Sequence, residues 1–207
     1  MKLRNILAVT VTAVVASVSA PAFAQSAGDW TFGVGVHQVE AKSDNGSLAD
    51  NTLDVTVGQD TKPTITAEYF IRDNLGIEVL AALPFEHDIS IRGPGKVGST
   101  KHLPPTVSLQ YHFGQHKLRP FLGAGINFTR FSSEKTSGAL AGSRLDLDSS
   151  WGLAAHAGID FQLTGRSAIR VDLRWIDIDS DVKLDGVKIG TANIDPLVYG
   201  TAYVMHF

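Results

Sequence analysis

The sequence has no cysteine in 207 residues, which excludes a disulfide scaffold and any thiolate metal site. Charge of one sign is scarce too. A formal net charge of −3 leaves no basic footprint for nucleic acid. Beyond residue 24 no apolar run approaches the ~20 residues that a membrane-spanning helix needs. If this chain crosses a membrane, it does so as strands.

What is present starts at the N-terminus. Lys2 and Arg4 precede the apolar run ILAVTVTAVVA at 6–16, and Pro21-Ala22-Phe23-Ala24 supplies small residues before Gln25. A basic region, a short apolar core and an A-x-A site make a secretory signal peptide, here 1–24. The expected mature domain is 25–207, one domain in length.

That domain resolves into eight segments of alternating apolar residues: 30–41, 63–72, 75–86, 102–113, 119–130, 150–161, 168–178 and 194–207. Strict alternation is the mark of a strand with two unlike faces. One face carries Ile126, Leu153 and Val171; on the third segment it runs Leu75, Ile77, Val79, Ala81, Leu83 and Phe85. The other face is small and polar, with Gly33, Gly35 and His37 on the first segment. Short links at 73–74, 114–118 and 162–167 alternate with longer polar ones at 42–62, 87–101, 131–149 and 179–193. Eight antiparallel strands of ~10 residues with this rhythm of connections fit a transmembrane β-barrel of the outer membrane. The short turns and both termini are then periplasmic, and the long links are extracellular loops. A soluble lipocalin-like barrel would reverse the faces, placing the apolar set inside. The small, weakly charged second face suits a crowded lumen better than a water-exposed surface. Aromatics near strand ends, Trp30, Phe85, Phe113, Phe161 and Phe207, fit an interfacial girdle.

The last strand ends on Tyr203, Met205 and Phe207, all on the apolar face. Lipid can cover these side chains, while barrel closure removes the unpaired edge. A C-terminal Phe after alternating apolar residues resembles the terminal signal recognised by the outer-membrane barrel assembly machinery.

With the strands placed, several stretches resemble the OmpW family of small outer-membrane barrels. They include RDNLGIEVLAALPFEHDI at 72–89, KHLPPTVSLQYHFG at 101–114, RPFLGAGINFT at 119–129 and SSWGLAAHAGIDFQL at 149–163. IDID at 176–179 and IDP at 194–196 follow in the same order. The resemblance implies an eight-stranded barrel with a narrow apolar passage and passive uptake of small hydrophobic molecules, without a cofactor. Leu80 matches a family position where a bulky apolar residue narrows the lumen. Arg174 stands where an aromatic would extend that constriction.

The inward set includes Phe70, Glu78, Leu80, His156, Asp172 and Arg174 as candidate channel-lining residues, with Glu68, His112, Asp160 and Arg170 alongside. Ionisable groups inside a membrane domain point to function by default. The competing reading is a salt-bridged plug, since side chains nearly fill an eight-stranded barrel. Seven inward glycines either leave room for a ligand or permit strand curvature.

Three prolines mark a second candidate. Pro84 lies near the top of the third strand, and Pro104 and Pro105 lie near the start of the fourth. Proline donates nothing to a ladder. A lateral exit lined by Leu83, Pro84, Leu103, Pro104 and Pro105 is therefore expected between those strands. The alternatives are a structural or receptor barrel without transport, or a lipid-modifying barrel enzyme using Ser108 near His156. No H-E-x-x-H spacing occurs among the seven histidines, and no metal is expected. Asp177, Asp179 and Asp181 begin like a calcium loop, yet Val182 takes the glycine place and Lys188 the last carboxylate place.

Overall fold

The computed structural model describes residues 25–49, 52–114 and 116–207. The expected signal peptide lies outside them. Strands are numbered in chain order. Eight of them form a wall: β1 (Trp30–Glu40), β4 (Asp60–Arg72), β5 (Leu75–Ala82), β8 (Thr106–His112), β9 (Leu118–Thr136), β11 (Ser150–Thr164), β12 (Ser167–Ile176) and β15 (Leu197–His206). Each is antiparallel to the next in that order, and β15 pairs back onto β1, so the barrel closes.

Alternation in sequence becomes alternation in space. Thr31, His37 and Val39 on β1 are buried inward, while Trp30, Phe32, Val34 and Val36 face out. Ile126, Leu153 and Val171 stand on the outer face at 56, 63 and 49% exposure, as a lipid-facing band requires. The soluble alternative, with its apolar face inside, is thereby overturned.

Turns at one end are tight. Asp73-Asn74 joins β4 to β5 with Asn74 at φ 63°, and Gly165-Arg166 joins β11 to β12. The C-terminus lies at the same end. Trp30 and Phe207 exchange backbone hydrogen bonds of 3.1 and 2.9 Å, tying the last residue into the first strand.

At the other end the structure departs from the sequence reading. The links expected as polar loops are largely strand: β2 (Ser47–Leu48), β3 (Leu53–Val57), β6 (Phe85–Ile91), β7 (Gly95–Leu103), β10 (Leu145–Leu147), β13 (Asp179–Leu184) and β14 (Val187–Asn193). β7 pairs onto the upper half of β9, which runs unbroken for 19 residues, and β6 and then β3 add to β7, extending the wall above the barrel. β10, β13 and β14 form a second small sheet. Leu48, Val55, Leu145, Val182 and Ala192 meet between these sheets and form the core of an extracellular cap.

The third and fourth expected strands are each split. β5 ends at Ala82 and β6 begins at Phe85; β7 ends at Leu103 and β8 begins at Thr106. The split also flips a face. Leu83 points out at 58% exposure, whereas Phe85 is only 2% exposed and packs inside, not in an outer girdle. The last β5–β8 rung is Leu80↔Thr106, and the first β6–β7 rung, Phe85↔His102, is one residue out of step with it. A slip of one residue turns a side chain to the opposite face.

Candidate functional site

Inside the membrane-spanning part, charge fills the lumen. Arg170 makes a two-pronged contact with Asp160, at 2.8 and 2.9 Å, and reaches Glu78 Oε2 at 2.7 Å. Arg174 donates to Glu78 Oε1 at 2.7 Å and to Asp172 Oδ2 at 2.6 Å. His37 joins Asp172 to Thr64 at 3.1 and 2.7 Å. A second branch runs from His156 Nε2 to Gln110 Oε1 at 2.8 Å, then from Gln110 Nε2 to Glu68 at 3.0 Å, with His112 donating to Glu68 at 2.9 Å. Every member of the network is buried. The Phe121 ring closes it from one side, 4.4 Å beneath the Arg170 guanidinium, and Phe70 packs on His112 at 5.3 Å. Hydrogen-bonded pairing is what makes buried charge tolerable.

The inward glycines contribute space, but not for a ligand. A Cβ on Gly123 would meet His156 Nε2 at 2.2 Å, and one on Gly158 would meet the tip of Phe121 at 2.4 Å. The network and its aromatic lid already occupy what these glycines vacate. Ser108 is buried, and its Oγ has no hydrogen-bond partner among the described residues; His156 bonds Gln110 instead. The nucleophile–base contact expected of a lipid-modifying enzyme is not formed.

Just above the network, Val39, Phe85, Phe131, Ala154, Ile176, Ile178, Ile194 and Val198 form a buried apolar layer. Leu80 is buried two residues above Glu78 on the same strand. Higher still, the cap encloses a cavity of about 130 Å³ between β2, β3, β6, β7, β10, β13 and β14. Its walls are chiefly Leu, Ile, Val, Ala and Phe. Among the described residues, His87, Thr100 and His102 are the polar side chains that line it. The two imidazoles stack at 4.7 Å between centroids, with Phe85 and Phe131 around them. Both lie outside the membrane-spanning strands. Burial holds His87 below the usual imidazole value and pushes His102 down to about 3. The stacked neighbour adds to the effect on His102. Sequence reading did not single out this pair. The signal it carried was two histidines placed shortly beyond the prolines, at the level where β6 and β7 resume.

The wall itself is interrupted at the height of the apolar layer. Continuing the β5–β8 register would set Ala81 against Pro105 and Ala82 against Pro104, and neither proline has an N–H. Both flanks stay paired. Leu83 N–H reaches Pro63 O at 3.2 Å, and Phe128 N–H reaches Pro105 O at 3.0 Å. The Asn127 amide donates to Pro104 O and Pro105 O at 3.1 and 3.2 Å, so the freed carbonyls are satisfied within the protein. Leu83 and Leu103 stand on the outer side of the break. Tyr203, Met205 and Phe207 lie on the opposite, short-turn end and face out.

Carboxylate oxygens of Asp177, Asp179 and Asp195 come within 4.8 Å of one another at the foot of the cap. Asp195 joins this group through the fold, while Asp181 binds Lys188 and Thr191 at 2.6 and 2.8 Å. Donors of the chain itself serve the cluster: Lys42 Nζ at 2.6 Å and the Ile178 N–H at 3.1 Å on Asp195, and the Asn193 amide on Asp179. Burial and the neighbouring carboxylates raise Asp177 above the usual value.

The OmpW family profile matches residues 26–207, the whole barrel and cap. The chain belongs to the OmpW family. Outer membrane protein W of Vibrio cholerae serotype O1 is 38% identical over 81% of this chain and 82% of its own. Outer membrane protein AlkL of Ectopseudomonas oleovorans is 30% identical over 86% of this chain and 82% of its own. The crystal structure of OprG from Pseudomonas aeruginosa superimposes with a TM-score of 0.78 at 28% identity, covering 88% of this chain and 98% of that one. Like its OmpW relatives, the protein is a closed eight-stranded barrel of the bacterial outer membrane.

Proposed function

We propose that this OmpW-family barrel passively takes up small hydrophobic molecules and releases them sideways into the outer membrane. An apolar solute leaves water in the extracellular cavity, passes the apolar layer, and exits between β5 and β8 at Leu83, Pro84, Leu103, Pro104 and Pro105. No cofactor or chemical step is required. One observation carries the reading: the ladder break lies directly above a lumen closed by buried ion pairs. An apolar solute cannot descend past Arg170 and Arg174 without stripping their partners, and leaving a buried charge unpaired costs ~3–5 kcal/mol. Lateral release costs no such desolvation, because bilayer and solute are alike apolar. Glu78, His156, Asp172 and Arg174, with Phe70, then line the closed lower lumen, and Leu80 marks its upper limit.

Replacing Pro104 and Pro105 together by Val restores two ladder donors. Uptake of apolar and polar probes of matched size into cells or proteoliposomes reads the consequence. Apolar uptake should fall at least severalfold in the folded double variant, and polar uptake should be low in both proteins. Undiminished apolar uptake would rule out the side exit; uptake of polar probes alone would mark an aqueous pore.

A further inference from the structure

Among the described residues the cavity is apolar except for three side chains, and two of those carry a buried nitrogen with no hydrogen-bond partner. His87 Nε2 and His102 Nε2 are both sealed from solvent and within hydrogen-bond reach of no protein group among the described residues. Buried polar atoms are nearly always paired, and each exception asks for a cause. His87 is the more informative of the two. Its Nδ1 hydrogen-bonds the backbone oxygen of Gly58, which can only accept, so the ring proton sits on Nδ1. Nε2 of the neutral ring is then a lone pair that needs a donor. Thr100, the third polar side chain, turns its hydroxyl towards the Lys101 carbonyl at 3.5 Å.

Size supplies the second constraint. Apolar cavities of ~150 Å³ stay dry and admit a single benzene ring. The cavity here is about 130 Å³, with the stacked imidazoles at its base beside the Phe85↔His102 rung that follows the ladder break.

We infer that the cavity selects small apolar molecules bearing one hydroxyl, of about the size of a phenol, with that hydroxyl donating to His87 Nε2. His102, with its own bare Nε2, stacks on that ring and walls the same end of the cavity. Hydrocarbon of equal size fits the walls but leaves both nitrogens bare. A hydroxyl that is satisfied on His87 is also masked as the solute moves towards the side break, where an open hydroxyl would meet lipid unpaired. This specificity rests on the capture role proposed above, but it can be tested without transport.

The test uses the full barrel in nanodiscs with 15N-labelled histidine, titrated with phenol and with anisole, which has the same ring but no donor. In the wild-type protein phenol should shift the unprotonated ring nitrogen of His87, and anisole should not. The His87→Phe variant should bind phenol roughly tenfold more weakly than wild type. Anisole affinity should change less than twofold. Comparing one compound across two proteins cancels its partition into lipid. An unmoved His87 nitrogen in wild type would overturn the inference whether or not the variant folds. So would an equal loss of phenol and anisole binding. If phenol binds with this signature while neither compound is taken up, the handle stands and the transport reading fails.

Discussion

Arg174 on β12 and Glu78 on β5 meet across the barrel at 2.7 Å, although three strands separate them around the wall. Their contact closes the lumen, and neither residue is open to solvent. Removing one partner of such a pair strands the other. Glu78→Leu leaves Arg174 with Asp172 alone and Arg170 with Asp160 and a distant Glu68. The variant should lose ~3–5 kcal/mol in urea unfolding in lipid vesicles. A loss below ~1 kcal/mol would mean that water already reaches these charges.

The outer face can be tested by depth. Val171 lies near the middle of β12, and Leu118 lies at the start of β9 by the short-turn rim; both face out. Arginine at the bilayer midplane costs ~2–4 kcal/mol but only ~0–1 near an interface. Val171→Arg should therefore lower folding free energy well beyond Leu118→Arg. Equal losses would contradict the placement of lipid around this band.

The barrel was legible in the sequence because alternation of side chains is the same quantity as inward and outward facing. Ile126, Leu153 and Val171 could be assigned to one face residue by residue. The cap was not legible. Its strands are short: β3 alternates Leu53, Val55 and Val57 with Asp54 and Thr56 over only five residues, and β10 spans three, so inside long polar links these runs do not stand out from loop. Phe85 was misplaced because the pattern runs on unbroken through Pro84, whereas the ladder does not. Inward charges were visible individually. Their partners were not, since Arg174 and Glu78 are brought together by closure of the barrel and not by any spacing along the chain.

Assembly provides a further expectation. Phe207 exchanges backbone hydrogen bonds with Trp30, and its ring packs edge-on against Phe32 at 5.7 Å. Tyr203 and Met205 continue the same outward row. Deleting Phe207 should reduce the heat-modifiable, folded form in the outer membrane while export to the periplasm is retained. Normal yield of folded barrel from the truncated chain would remove this row from recognition by the assembly machinery.

Acid should open the cap. His87 and His102 are buried, and burial holds both below the usual imidazole value, His102 at about 3. Asp60 and Asp88 favour the charged form of His87 while Lys62 opposes it, and the net shift remains downward. Stability rises with pH wherever the open state binds more protons. Once exposed, each ring titrates near 6.5, so between that value and about 3 the opened cap takes up protons that the closed cap refuses. The closed state is fully favoured above pH ~6.5 and loses up to ~1.4 kcal/mol per pH unit for each histidine below it. Opening free energies from amide hydrogen exchange in β6 and β7 should therefore fall between pH 6.5 and 4. His102→Leu should flatten the β6–β7 profile. A wild-type profile already flat over that range would mean that the histidines are hydrated in the closed cap.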